Sequence, residues 1–400
     1  MTTRRQFLAG ASGVLACGLV PARAAETPGV AATEIKIGQT MPYSGPASAY
    51  GQIGKTELAY FKWINEQGGV NGRQINLISL DDAYSPPKTV EQTRRLIEQE
   101  QVAFMFNPLG TGPCLATRDY LNQNAIPQLF VATGAATFSD PEHFKWTVGF
   151  QPNYQTESSI FARHILKTKP QAKIGVLYQN DGFGKDYLTG LKAGLGEANL
   201  GLIVKEATYE TSEPTVDSQV STLQGSGADV FLIAATPKFA AQAIRKSFDL
   251  GWDATRYVTD VSLSISSVMK AAGFDKAKGL ITANYGKDAS DPRWADDAGL
   301  KQYKAFVESR MSAKDLIDSN TIYGYDAAFL LVEVLKRCGD DLSRDNVLKQ
   351  ATNLKDFDLP MLLPGVKINT SPTNYSPIRQ MQLQTFNGTG WELFGDVIQG

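Results

Sequence analysis

Histidine and cysteine are scarce in this chain, two and three respectively in 400 residues. His143 and His164 stand in no metal-ligand spacing with each other or with a cysteine, so a histidine-built metal centre is not expected. Of the cysteines, Cys17 lies in the leader region. Cys114 and Cys338 either pair once or remain two buried thiols, so no disulfide framework holds the fold and a large apolar core must. No Gly-x-Ser-x-Gly elbow occurs, which removes the strained turn of an α/β-hydrolase nucleophile. Neither sign of charge dominates: 39 Lys and Arg against 41 Asp and Glu give a formal charge of −2. Without a basic footprint, nucleic acid is not an expected partner. After the leader, no run is long and apolar enough to span a bilayer.

The leader itself is informative. "TRRQFLAGASGVLACGLVPARA" (3–24) carries Arg4 and Arg5, then Phe7 and Leu8, and an apolar run to Val20. The small residues Ala22 and Ala24 suit signal peptidase, so cleavage is expected after Ala24 and the mature chain outside the cytoplasm. Thr-Arg-Arg-x-Phe-Leu has the form of a twin-arginine export signal. The alternative is a general secretory signal whose arginines are only its cationic end. Leu15 is too bulky for a lipoprotein cleavage box ahead of Cys17.

Beyond the leader, short apolar runs alternate with helical stretches. "EIKIGQTM" (34–41), "INLISLDD" (75–82), "VAFMFN" (102–107) and "IPQLFVAT" (126–133) read as strands. Between them stand helix-like stretches such as "GQIGKTELAYFKWINEQGG", where Gly68-Gly69 is a natural stop. This alternation predicts an α/β protein with a parallel sheet covered on both faces. After residue 154 the pattern restarts with "KIGVLYQ", "LIVKEATY", "DVFLIAA" and "RYVTDVS", separated by helices near 183–195 and 238–250. A second sheet of the same kind is the simplest account. Later come "GLITANYG" and helices near 294–309, 323–337 and 343–351. The end alternates and turns at Asn387-Gly388, a hairpin signal.

Three glycine loops approach nucleotide motifs and fail. "AYGQIGKTE" would be a P-loop but for Ala49 at its first glycine, and reads as helix interior. "LGTGPCL" and "DGFGKDYLTG" place Leu115 and Tyr187 where a dinucleotide fold needs its third glycine. A periplasmic oxidoreductase, the kind of cofactor protein that twin-arginine export carries, therefore lacks its motif, and no cofactor is expected. What remains is a set of small-residue turns at the carboxyl ends of predicted strands, where open α/β sheets bind ligands. They are "PYSGPASAYG", "NPLGTGP", "VATGAATFSD", "QNDGFG", "ATPKF" and "TDVSLS". Ser44, Thr111 and Thr133 add hydroxyls; Gly112 and Gly134 let backbone N–H groups approach a carboxylate. Read otherwise, these turns are N-caps serving only the fold.

Three stretches carry a family resemblance: "IKIGQTMPYSGPASAYG", "INEQGGVNGRQINLISLDDAYSPPKTVEQTRRLI" and "DSNTIYGYDAAFLLVEVLKRCGDDLSRDNV". They resemble the leucine/isoleucine/valine-binding group of periplasmic solute-binding proteins that serve ABC importers, over essentially the whole mature chain. The resemblance implies a type I periplasmic binding protein: two Rossmann-like parallel-sheet lobes joined by three hinge crossovers, closing on a ligand. Lobe one would be 33–149 plus 284–363, lobe two 150–283 plus 364–400. It implies no enzyme, but capture of a small carboxylated metabolite, a branched-chain or related amino acid, by a monomer that delivers it to membrane permease subunits. A sensor module of the same fold is the other use it allows.

By the same resemblance, Thr111 and Gly112 of one turn and Ala132, Thr133 and Gly134 of the next would hold carboxylate and ammonium, with Tyr50 as an aromatic wall. Gly134 stands where the family has threonine, with Thr133 one place earlier. In lobe two, Phe183 and Thr236 fall where the family has tyrosines, and Asp260 near its ammonium-binding acid. If Asp260 faces the cleft, an amino acid fits; if it caps a helix, an aromatic or aliphatic carboxylate without an amino group fits better. A cysteine pair that some members carry beside the cleft is replaced by Tyr84 and Gly110.

Overall fold

The computed structural model describes residues 27–399, so the export signal, its cleavage after Ala24 and Cys17 lie outside the described residues. Twelve strands form two sheets. The first holds β1 (Glu34–Met41), β2 (Gln74–Asp81), β3 (Met105–Phe106), β4 (Gln128–Val131) and β5 (Thr147–Gly149), in the order β2-β1-β3-β4-β5. All its pairings are parallel. The second holds β6 (Ile174–Gln179), β7 (Ile203–Tyr209), β8 (Val230–Ala234), β9 (Thr255–Val258), β10 (Ile281–Asn284), β11 (Gln380–Phe386) and β12 (Trp391–Gln399). Its order is β12-β11-β10-β9-β8-β6-β7, parallel from β7 to β10 and antiparallel through the final hairpin.

The chain therefore crosses between sheets three times, after β5, after β10 and before β11. Each sheet reverses its winding beside one strand: β2 and β3 flank β1, and β7 and β8 flank β6. At such a reversal the loops leave in opposite directions and open a crevice at the carboxyl ends of the strands.

The core explains the continuous apolar runs. Every residue of β8, "VFLIA", is buried, because helices cover both faces of the sheet. In the first lobe, helix Gly51–Glu66 packs on helix Ser319–Cys338 through edge-on rings, with Tyr60 and Tyr325 centroids 5.2 Å apart at 89°. Gly54-Lys55-Thr56, the near-P-loop, lies inside the first of these helices. That helix ends at Gly68 (φ 101°) and Gly69 (φ 72°), as the double glycine predicts.

Two details revise the sequence reading. The helix expected near 294–309 divides into a short 3₁₀ turn, Pro292–Trp294, and helix Ala298–Arg310, whose N-cap is Asp297. Of the stretch 364–400, expected in lobe two, Val366, Ile368, Tyr375 and Ile378 pack into the core of the first sheet, and only β11 and β12 join the second. Cys114 and Cys338 are both free and buried.

In the second lobe, helix Tyr154–Thr168 meets helix Gly182–Leu195 at van der Waals distance because the latter presents glycines. A Cβ on Gly190 would stand 2.3 Å from the Gln155 carbonyl oxygen, and one on Gly194 would stand 2.6 Å from Ala162 Cβ. Gly190→Ala is expected to destabilise the protein by about 1–3 kcal/mol, the ordinary cost of overpacking, measured by denaturant unfolding.

Candidate functional site

Where the two reversals face each other, the lobes enclose a cleft of about 1060 Å³, its open mouth included. Lobe one contributes Tyr50 from the loop after β1, Tyr84 from the loop after β2, Leu109 and Gly110 from the loop after β3, and Ala132 after β4. Lobe two contributes Phe183, Thr236, Asp260 and Val261. The crossovers add Phe150, Gln151 and Tyr285, and Tyr154 and Tyr323 stand on helices beside them. The wall thus combines aromatic rings and aliphatic side chains with polar groups, the usual make-up of a small-molecule site.

Five of the expected site residues line this cleft: Tyr50, Ala132, Phe183, Thr236 and Asp260. The other five are not brought to it. Ser44 is exposed and its Oγ donates to Asp81 Oδ2 at 2.5 Å, so it braces a turn instead. Thr111 and Thr133 are buried, their hydroxyl oxygens 2.7 Å apart with one donating to the other, and Thr133 Oγ1 also accepts the Ala135 N–H at 3.2 Å. Gly112 opens helix Thr111–Gln123 over Pro86. Gly134 serves packing: a Cβ there would stand 2.1 Å from the Pro152 carbonyl oxygen. Nor are the amides of that turn all free for a ligand. Ala132 N–H donates to the Pro108 carbonyl at 2.9 Å and Thr133 N–H to the Val131 carbonyl at 2.9 Å.

Sequence reasoning missed Tyr84, Gln151, Tyr154, Tyr285 and Tyr323. Tyr84 and Tyr285 carried a readable signal, since each follows a strand's carboxyl end. Tyr154 carried another: Asn153 caps its helix by accepting from Gln155 N–H at 2.8 Å, which puts Tyr154 and Glu157 on one face of the first turn.

That first turn forms the polar floor. Asp260 opens a 3₁₀ turn, Asp260–Ser262, but the cap position falls to Thr259, and the Asp260 side chain lines the cleft at 8 % exposure. Behind it, Glu157 Oε1 accepts the Asp260 N–H at 2.8 Å. Tyr187 donates to Glu157 Oε2 and lies 3.3 Å from Asp260 Oδ1. Burial pushes the Asp260 carboxyl up to about 6. Burial, and then the neighbouring Asp260 charge, hold Glu157 well above the usual carboxylate range. No cation offsets the pair. Among the described residues lining the cleft, Lys287 alone is basic, and its Nζ is held by Asp297 Oδ1 at 2.7 Å and the Pro360 carbonyl at 3.0 Å.

Polar bridges join the lobes around the cleft. Asp318, N-cap of helix Ser319–Cys338, accepts from Ser264 Oγ at 3.2 Å and from Ser266 Oγ at 2.6 Å. Ala136 N–H donates to Asp186 Oδ2 at 2.7 Å, and Trp391 N–H to Asp288 Oδ2 at 3.1 Å.

Two α/β lobes, three crossovers and a walled cleft lined by the buried acids Asp260 and Asp326 define a ligand-capturing protein. The chain belongs to the periplasmic binding protein family, whose model matches residues 34–390, and it is a solute-binding protein rather than an enzyme. A curated relative, the Leu/Ile/Val-binding protein BraC3 of Rhizobium johnstonii, is 24% identical over 369 residues, 91% of this chain and 93% of the relative. The fold matches a branched-chain amino acid ABC transporter protein from Thermus thermophilus with bound valine. The TM-score is 0.82 at 16% identity, covering 92% of this chain and 97% of that one. It also matches an ABC-transporter solute-binding protein from Rhodopseudomonas palustris in complex with 3,4-dihydroxybenzoic acid. There the TM-score is 0.75 at 20% identity, with 92% and 97% covered.

The floor has a stability signature. Because the folded protein binds the Asp260 proton more tightly than the unfolded chain, this group's contribution is fully present below pH 3.8 and is lost as pH rises through about 6. Asp260→Asn removes that loss. The ligand-free variant is expected to melt above wild type at pH 7.5 and close to it at pH 4.5, read by circular dichroism.

Proposed function

We propose that this protein is the periplasmic receptor of an ABC importer that captures an α-amino acid with an apolar side chain and delivers it to a permease. One observation carries the reading: a buried carboxyl, Asp260, faces an aromatic cleft with no protein cation to neutralise it. An ammonium group from the ligand supplies that charge. The ligand's carboxylate is assigned to the cleft wall at Gly110, the residue before helix Thr111–Gln123, where the positive end of the helix favours an anion. Charge-assisted bonds of about 1.5–3 kcal/mol each, plus one buried apolar side chain, reach the −8 kcal/mol or so of micromolar binding.

The cleft is built by both lobes, so ligand shifts the population towards the closed form. Asp318, held between Ser264 and Ser266 of the other lobe, then acts as a latch that touches no ligand. Asp318→Ala is expected to raise the release rate of every ligand by a similar factor, several-fold, in stopped-flow fluorescence. A rate change confined to one ligand contradicts the latch.

A second reading, an aromatic carboxylate without an amino group, is favoured by the density of rings in the wall and by the dihydroxybenzoate held by a protein of the same fold. Calorimetry with the common L-amino acids and with 3,4-dihydroxybenzoate separates the two. On the first reading, an amino acid binds and Asp260→Asn weakens it at least tenfold. Its affinity rises from pH 5 to 7 as Asp260 ionises. On the second, the acid binds, the substitution does not weaken it, and affinity does not rise over that range. A ligand-sensing partner in place of a permease is told apart by whether uptake fails when the gene is deleted.

A further inference from the structure

Of the described residues lining the cleft, Asn320 alone has a fully buried side-chain nitrogen with no hydrogen-bond partner. The residue is only 7 % exposed. Folded proteins seldom bury such a donor, because leaving it unpaired forfeits the bonds it makes in water.

The surroundings hold the group in place. Asn320 lies in the first turn of helix Ser319–Cys338, and its own backbone N–H is fixed on Asp318 Oδ1 at 2.9 Å. The same oxygen accepts from Ser264 Oγ of the other lobe at 3.2 Å. Ser264 stands four residues beyond Asp260, so Asn320 sits against the segment of lobe two that carries the acid of the floor. Along that segment Val261 and Leu263 line the cleft, while the Ser262 hydroxyl turns away to the Ala235 carbonyl at 2.6 Å. The lining between the two polar groups is therefore apolar.

The unpaired Nδ2 selects what can complete it. A cationic side chain offers it no acceptor. A carboxylate would add an anion near Asp326, a buried acid of the same helix that also lines the cleft. A hydroxyl is neutral and both accepts and donates, so it suits either end of the amide. With the ammonium on Asp260, the hydroxyl of serine or threonine stays beside lobe two, whereas a phenol carries its hydroxyl across to the helix of lobe one.

We propose that Asn320 is a second recognition point of the cleft, hydrogen-bonded by a phenolic hydroxyl at the end of the ligand's otherwise apolar side chain. The inference rests on the reading of the cleft as an amino-acid site and narrows its ligand to a tyrosine-like one.

The test is calorimetry with L-tyrosine and L-phenylalanine, which differ by that hydroxyl alone. Wild type is expected to bind tyrosine at least tenfold tighter, because phenylalanine leaves the amide unpaired. Asn320→Leu weakens tyrosine at least tenfold and leaves phenylalanine unchanged or tighter, and Asn320→Ala, which adds no bulk, likewise abolishes the preference. Equal binding of the two by wild type, or a preference for tyrosine that survives both substitutions, overturns the assignment and leaves the functional reading standing. Failure of every amino acid to bind wild type overturns that reading, and the assignment with it. A ligand-free melt checks the amide itself: Asn320→Leu is expected to melt at or above wild type, since the empty protein loses no hydrogen bond. A clear fall in Tm means that the amide is already satisfied, and overturns the assignment.

Discussion

An acid buried without a counter-ion is costly, and proteins tolerate one only where something else supplies the missing charge or the group keeps its proton. The floor of this cleft uses both routes. Burial pushes the Glu157 carboxyl, deep behind the floor, well above the usual carboxylate range, and the Asp260 carboxyl, one layer nearer the cleft, up to about 6. The graded burial of two carboxyls, with Tyr187 bonded to both, leaves one negative charge facing the ligand rather than two. A single charge matches a zwitterion's ammonium group. Two would over-bind cations and strain the empty protein.

Around that floor, the architecture brings both loops and the first turns of helices to the cleft. Because winding reverses beside β1 in one sheet and β6 in the other, the loops after β1, β3, β6 and β8 converge on the same crevice. The scaffold behind them is close-packed through glycines such as Gly190 and Gly194, whose absent side chains let helices approach to contact distance. Two packed lobes joined by three crossovers leave any rotation between them to those connecting segments.

The strand–helix alternation, the double-glycine stop at Gly68-Gly69 and the hairpin at Asn387-Gly388 were legible in the sequence because each depends on local pattern or local dihedral preference. Lobe membership of 366–378 was not, since nothing local says which core Ile368 or Tyr375 joins. The lining of the cleft was legible in part. The carboxyl-end rule finds Tyr50, Ala132, Phe183, Thr236 and Asp260, because strand ends can be read from apolar runs. It misplaces Thr111 and Thr133, whose hydroxyls turn towards each other, a contact between residues 22 apart that no spacing reveals. Tyr154 and Tyr323 reach the cleft from helix faces, and only the assembled fold tells which face that is.

Internal hydrogen bonds occupy the Ala132 and Thr133 amides, which moves the polar contacts available at this part of the cleft from amides to side chains. An amide cradle reads the carboxylate that all amino acids share, so it confers affinity without choice. A wall of rings and a buried acid would instead read what differs between ligands: the charge opposite Asp260 and the shape of the apolar part. The left-handed backbone at Tyr84 and the buried carboxyl at Asp260 both cost stability, and both residues line the cleft. Stability given up at a cleft wall rather than in the core is the pattern of a surface shaped for binding.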